Sequence, residues 1–197
     1  MSIAIIGAGS WGTAMASQLG LKHKRVALWS RRSALAAAMT SSRYNNEYLP
    51  GVSLPPSVLC TNDFEKAVID AKVIVITTPS HTVRDTCRKM AEYVQPDTVV
   101  VSAAKGLEAG TYKRMSEIIA DEIPQIKGKV AALSGPNHAE EVGKQQPSAS
   151  VVASSSAYVA DVVQEAYMLP FFRVYTNPDI IGVELGRELK NIIALGA

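Results

Sequence analysis

Cysteine, histidine and aromatic residues are all scarce in this chain of 197 residues, and each scarcity removes a class of explanation. Cys60 and Cys87 are the only cysteines; they make no disulfide framework and no metal-binding spacing. The three histidines, His23, His81 and His138, form no His/Cys cluster, and no Ser/His/Asp order points to a hydrolase. No metal is expected. Charge is also sparse: charged residues make up 19% and the net charge is +2, which is no electrostatic footprint for nucleic acid or a membrane surface. No apolar run approaches the roughly 20 residues that span a bilayer, so no membrane insertion is expected. The opening MSIAIIGAG has no basic stretch ahead of its apolar one and does not read as a signal peptide. These absences together suggest a reducing cytoplasm. There is no internal repeat and no low-complexity linker; residues 41–57, SSRYNNEYLPGVSLPPS, read as a single long polar, Pro-rich loop.

What the chain does have is apolar residues, at 47%, arranged in alternation. Runs rich in Val and Ile at residues 3–6, 25–29, 73–77, 98–102, 129–133, 148–153 and 171–175 read as buried parallel strands, with a weaker one near 58–60. Helix-length segments lie between them at 11–21, 34–40, 63–69, 82–93, 111–122, 137–144 and 157–169, with Asp63 and Ser80 at cap positions. Such alternation means βαβ units and an α/β, doubly wound, mostly parallel sheet. From Pro178 the pattern changes to a single helix capped by Asn177. The expected organisation is a dinucleotide-binding unit over residues 1–177, followed at 178–197 by the first helix of an all-helical unit that this chain does not complete.

The stretch AIIGAGSWGTAMA sets Gly7, Gly9 and Gly12 in G-x-G-x-x-G spacing, after the first strand and at the head of a helix. In a Rossmann sheet the first glycine permits the turn, the second lets backbone approach a pyrophosphate, and the third lets helix and strand pack closely. The free N–H groups of the helix start then face the phosphates. The second strand ends in LWSRR, where an NAD-specific protein would present Asp or Glu to the ribose. Arg31 and Arg32 stand there instead. Guanidinium groups suit a 2′-phosphate, which favours NADP(H) and leaves NAD(H) open.

Ligands of such sheets sit beyond the carboxyl ends of the strands. Three more strand ends carry unusual residues. Pro79 turns the chain after the 73–77 strand. Lys105 follows the 98–102 strand and is either an anion-holding group or a surface lysine. Gly135 and Asn137 open a helix after the 129–133 strand, where they could face a substrate or simply make a turn. His138 beside them reads more as a bystander than as a base. In the last helix Lys190 shares a stripe with Val183, Gly186 and Ala194; on a surface of small residues it could be desolvated and exchange protons, or it could extend into solvent beside Glu184 and Glu188.

GAGSWGTAMA, LWSRR, NNEYLPGVSLP, TTPSHTVR, AAKGLE, LSGPNHAEEV and NPDIIGVELGRELKNIIAL resemble, in order and spacing, the bacterial NAD(P)-dependent glycerol-3-phosphate dehydrogenases over the whole chain. The resemblance implies reversible reduction of dihydroxyacetone phosphate to sn-glycerol 3-phosphate, supplying phospholipid synthesis. It implies Lys190 as the proton donor and acceptor, with Asn191 beside it at the substrate, and Lys105 touching cofactor and substrate. Ser10, Trp11, Arg31, Arg32, Tyr48 and Ala139 would line the cofactor site with Pro79, and Gly135 and Asn137 would touch substrate. Position 137 is usually serine in the family, and Arg187-Glu188 stand where a Gly-Ala pair is usual. A small-molecule substrate is the expected partner, and a homodimer remains open to it. In the family a helical domain follows, carrying the groups that bind the substrate phosphate, so these 197 residues are expected to bind the cofactor and turn over little. Another two-domain dehydrogenase, acting on a sugar nucleotide or a hydroxyacid, is the competing enzyme; sugar-nucleotide oxidation calls for a later cysteine, and none follows Cys87 here. A nucleotide-binding module without turnover is the competing non-enzyme.

Overall fold

A computed structural model describes residues 1–196 of the chain; the side chains of residue 188 and of residues 190–194 lie outside that description. In chain order the strands are β1 (Ser2–Ile6), β2 (Arg25–Trp29), β3 (Tyr44–Asn45), β4 (Leu49–Ser53), β5 (Val58–Thr61), β6 (Val73–Ile76), β7 (Val99–Ser102), β8 (Val130–Ser134), β9 (Ser148–Ala153) and β10 (Phe172–Asn177). The helices are α1 (Ser10–Lys22), α2 (Ser33–Ser42), α3 (Phe64–Val68), α4 (Ser80–Met90), α5 (Met115–Glu122), α6 (Ala139–Gly143), α7 (Ala157–Tyr167) and α8 (Ile180–Gly196).

Eight strands form one sheet in the order β10-β9-β8-β7-β6-β1-β2-β5. The central strand β1 pairs in parallel with β2 on one side and β6 on the other, with Ile3 opposite both Val26 and Val73. Parallel strands covered on both faces need apolar residues at every position, and the period-2 pleat then divides them. Ile3 and Ile5 enter a core with Met15, Leu19, Leu28, Val142 and Val163, which lies under α1, α6 and α7. Ala4 and Ile6 enter the opposite core with Ile74, Ile76, Val83, Met90 and Ile118, which lies under α3, α4 and α5. Each fully buried aliphatic side chain contributes about 1.5–3 kcal/mol, so both cores depend on this single alternation. The doubly wound Rossmann sheet read from the sequence is the one observed.

Several local expectations need correction. β9 runs antiparallel to β8, with Leu133 opposite Val152. The intervening α6 packs against α1, where Gln18 Nε2 donates to Gly143 O at 3.1 Å, instead of returning along the sheet face. The chain therefore enters β9 from the carboxyl end of β8. Residues 41–57 are not one loop: β3 and β4 form an antiparallel hairpin whose Asn45, Leu49 and Val52 are buried. Asp63 does cap α3, accepting from Lys66 N at 3.2 Å. Ser80 does not cap α4; Thr82 Oγ1 turns back to donate to Pro79 O at 2.8 Å. α5 begins four residues later than expected, because Tyr112 has a positive φ of 57° and Glu117 accepts from Arg114 N at 2.9 Å to start the helix there. Asn177 ends β10 and accepts from Asp179 N at 2.8 Å, while the Asp179 carboxylate accepts from Gly182 N at 2.8 Å and so takes over the capping of α8.

The first turns of α8 are fixed to the sheet by two charged residues. The buried Glu184 carboxylate accepts from Arg114 Nη1 at 2.8 Å, Ser116 N at 2.9 Å and Ser116 Oγ at 2.6 Å. Arg187 donates to Leu133 O at 2.8 Å and to Ala103 O at 2.6 Å, which are the carboxyl-end carbonyls of β8 and just beyond β7. Glu184→Ala would leave the buried Ser116 N–H without its acceptor and take one of two carboxylates from Arg114, which keeps Glu117 at 3.2 Å, at a cost of about 1–3 kcal/mol. In that variant the amides of α8 should lose hydrogen-exchange protection while those of β1 and β6 keep theirs; unchanged protection of α8 would mean that Glu184 does not hold it.

Candidate functional site

The carboxyl ends of β1, β2, β6, β7 and β8 open into one cleft of ≈ 890 Å³. Its floor is the Gly7–Gly12 turn between β1 and α1. Gly7 has φ +123°, a conformation open to glycine, and a Cβ there would lie 2.8 Å from Thr77 Oγ1. A Cβ on Gly12 would lie 1.9 Å from Gly7 O. Thr77 locks this arrangement by donating its hydroxyl to Gly7 O at 2.8 Å, with Ile6 O 3.1 Å away. Gly9 differs from both. Its φ of −74° suits any residue, and a Cβ there would meet no protein atom within 4 Å. Neither backbone conformation nor internal packing calls for glycine at position 9, and its Cα faces the cleft at the head of α1. The first N–H groups of a helix have no intrahelical partner, and no side chain caps α1. The turn is therefore shaped as a cradle for an anionic group, and a pyrophosphate fits it.

Asn45, a residue that composition and spacing did not single out, ties the β3–β4 hairpin to this turn. It is fully buried, and its amide donates to Ala8 O at 2.9 Å and Thr13 Oγ1 at 2.8 Å. The hairpin brings Tyr48 to the cleft wall beside Arg31 and Arg32. The Arg32 guanidinium pairs with the Glu47 carboxylate and lies over the Tyr48 ring, 5.7 Å from its centroid. That ion pair raises the Arg32 pKa and holds the Glu47 carboxyl below its ordinary range. Arg31 is exposed and lines the cleft, and its side chain makes no hydrogen bond or ion pair among the described residues.

Further along the cleft, Pro79 and Lys105 line the wall at the ends of β6 and β7. The turn carrying Lys105 is clamped from outside. Arg84 on α4 grips Glu108 through Nε at 2.6 Å and Nη2 at 2.8 Å, and it reaches Glu122 at 2.6 Å. Arg84 and the Thr111 hydroxyl hold the Glu108 carboxyl down to about 2, so it stays charged at any working pH. Arg84 and Glu108 stand within TTPSHTVR and AAKGLE, and their pairing was invisible along the chain because 24 residues separate them.

Gly135, Asn137, His138 and Ala139 form the far wall with Arg187. Asn137 spends its amide on the protein itself, donating to Ala149 O at 2.9 Å and Ser150 Oγ at 2.7 Å. Its packing also explains Gly135, where a Cβ would lie 2.6 Å from Asn137 Nδ2. The structure thus brings Gly7, Gly9, Ser10, Trp11, Arg31, Arg32, Tyr48, Pro79, Lys105, Gly135, Asn137 and Ala139 to one cleft, while Gly12 lies behind it as the packing glycine. Lys190 and Asn191 are expected site residues whose side chains fall outside the described residues. Arg187 reaches the cleft through a departure from the usual Gly-Ala pair. Among the described residues no group of three or more His, Cys, Asp and Glu could hold a metal, and no helix is long and apolar enough to cross a membrane.

This geometry agrees with three comparisons. Residues 2–160 match the family model described as NAD-dependent glycerol-3-phosphate dehydrogenase N-terminus. The glycerol-3-phosphate dehydrogenase (NAD(P)+) of Desulfitobacterium hafniense is 50% identical over 195 residues, which is 99% of this chain and 54% of that protein. The enzyme of the same name from Moorella thermoacetica is 51% identical over 194 residues, covering 98% of this chain and 57% of that one. Among solved structures, glycerol-3-phosphate dehydrogenase from Coxiella burnetii superposes with a TM-score of 0.89 at 35% identity, covering 98% of this chain and 59% of that one. The chain thus spans little more than half the length of the curated relatives it matches. Shared sequence across 2–160, the shared sheet and the glycine cradle together establish that this chain belongs to the NAD-dependent glycerol-3-phosphate dehydrogenase family, as its N-terminal portion.

Proposed function

We propose that the cleft binds NAD(P)H and that the whole protein reduces dihydroxyacetone phosphate reversibly to sn-glycerol 3-phosphate. The single observation that carries the first half is Gly9, a glycine that the protein's own packing does not require, set at the head of α1. The second half comes from the family, whose relatives bear that enzyme's name. Residues 1–177 are read as the dinucleotide-binding unit and 178–197 as the start of a helical substrate unit. In support, β10 ends at Asn177 and only α8 follows among the described residues.

The nicotinamide, when bound, supplies a hydride to the carbonyl carbon; the chain's residues do the rest. Gly7, Gly9, Ser10 and Trp11 would hold the pyrophosphate, Arg31, Arg32 and Tyr48 the adenosine end, and Pro79 and Ala139 the walls of the cofactor site. Lys105, at the end of β7, would sit between cofactor and substrate. Gly135 would offer backbone to the substrate; Asn137, with its amide committed to β9, would shape the turn around it. Lys190 would give the carbonyl oxygen its proton, with Asn191 alongside. It follows Arg187 by three positions in α8, a spacing that shares a helix face, and Arg187 reaches the cleft. NADP(H) is favoured over NAD(H), supported by two arginines in the turn after β2, where a carboxylate would serve NAD. A cytoplasmic setting fits two buried free thiols, Cys60 and Cys87. A small molecule, not nucleic acid, fits a cleft of this size in a chain of net charge +2; self-association into a dimer is an added possibility for the whole protein.

Three outcomes test this reading. Gly9→Val should abolish nucleotide binding in a fluorescence titration while leaving the melting temperature close to that of the parent, because no protein atom opposes the new side chain; affinity within about twofold of the parent would place the nucleotide elsewhere. Replacing Arg31 and Arg32 together by alanine should cost about 1.5–3 kcal/mol toward a 2′-phosphate, a loss of roughly tenfold or more for NADPH with NADH spared; equal losses would remove the arginines from that role. In protein of the relatives' full length, Lys190→Ala should lower kcat by about a hundredfold or more with NADPH affinity little changed, and a near-normal kcat would assign the proton to another group.

A further inference from the structure

The wall of the cleft at the end of β2 holds two arginines in different states. Arg31 is exposed to the cleft, and its side chain has no hydrogen bond or ion pair among the described residues. Arg32 is held from two sides, its edge by the Glu47 carboxylate and its face by the Tyr48 ring at 5.7 Å. Both holders come from the hairpin, and the hairpin is anchored at the phosphate turn by the buried Asn45, whose Oδ1 lies 3.4 Å from Tyr48 N. Arg32 and Tyr48 line the cleft, whereas Glu47 is not among its lining residues and meets it through Arg32. The side chains of the Arg32–Glu47 pair are 47% and 48% exposed, so water reaches the pair and a ligand anion can compete for it. An ion pair this exposed adds little to folding, and its effect should be sought in what Arg32 can bind.

We propose that Glu47 is a positioning residue that sets cofactor preference: it engages the Arg32 guanidinium and so weakens the hold of this wall on a 2′-phosphate. The proposal rests on the reading that NAD(P)H occupies the cleft with its adenosine end at Arg31 and Arg32. A 2′-phosphate arriving at Arg32 must share the guanidinium with a carboxylate already bound to it, and it meets that like charge at close range. A ribose with a free 2′-hydroxyl meets neither penalty. Arg31 then carries most of the contact with the 2′-phosphate, and the chain discriminates between NADPH and NADH less than two adjacent arginines would by themselves.

The test is titration of this chain with NADPH and with NADH by nucleotide fluorescence, comparing the parent with Glu47→Gln, Arg32→Ala and the double variant at low and high salt. Glu47→Gln keeps the size of the side chain at an exposed position, and Glu47→Ala serves as its second version; a thermal melt verifies the fold of each. Either variant should tighten NADPH by about two- to fivefold, the range of an exposed ion pair, and leave NADH unchanged. The gain should shrink at high salt and vanish when Arg32 is alanine. A weaker NADPH affinity would mean that Glu47 orients Arg32 for the phosphate, and would overturn the proposal. So would equal shifts for both nucleotides, or a gain that persists without Arg32. A parent chain that binds neither nucleotide would instead remove the underlying reading of the cleft, and the proposal with it.

Discussion

The approach of α1 to β1 at the Gly7–Gly12 turn is the contact on which the other features depend. A side chain at Gly12 would stand 1.9 Å from the Gly7 carbonyl, so only glycine allows the helix to start there. The Thr77 hydroxyl then binds that carbonyl, which joins the end of β6 to the end of β1. With the helix start and two strand ends fixed together, the cleft has a floor of backbone instead of side chains. Gly9 lines the cleft with Gly7, Ser10 and Trp11, and it is the glycine of the turn that this packing leaves unconstrained. Structural necessity thus falls on Gly7 and Gly12 and not on Gly9, within the same motif.

Two additions to the sheet turn this floor into a walled site. On one side the β3–β4 hairpin is pinned by Asn45, whose amide has no solvent to fall back on and so must keep its bonds to Ala8 and Thr13. Through that anchor the hairpin delivers Tyr48 and Glu47 to Arg32. On the other side α8 is docked by Glu184 and Arg187, and the Arg187 guanidinium binds carbonyls at the ends of β7 and β8. Strand-end carbonyls have no further partner in the ladder, which makes them natural acceptors for a charged group. The Arg84–Glu108 clamp does similar work for the turn carrying Lys105, from outside the cleft. Each wall is therefore held by a charged or amide side chain that reaches across the fold, and the apolar cores supply the platform.

The alternation of Val/Ile runs with helical segments was enough to read the sheet and both of its covered faces, and the glycine spacing was enough to place the turn between the first strand and the first helix. The strand and glycine patterns are local, with periods of two residues and spacings of two and three, so they survive in one dimension. The resemblance to the family likewise rested on short motifs in order. Among the described residues every motif residue expected in the site except Gly12 lies on the cleft, because in a parallel sheet the residues just after each strand share one edge. Tertiary structure decided the matters that depend on partners far away in the chain. Asn45 lies 37 residues from the Ala8 carbonyl it binds, Glu184 lies 68 from Ser116, and Arg187 lies 84 from Ala103. It decided that a polar, Pro-rich loop is a hairpin, since the buried bonds of Asn45 outweigh the loop propensity of its neighbours. It decided that β9 runs antiparallel, since α6 finds its packing on α1. It decided too that Arg31 and Arg32, identical along the chain, differ in the fold, because among the described residues only Arg32 meets a carboxylate, brought in by a hairpin whose position no local pattern encodes.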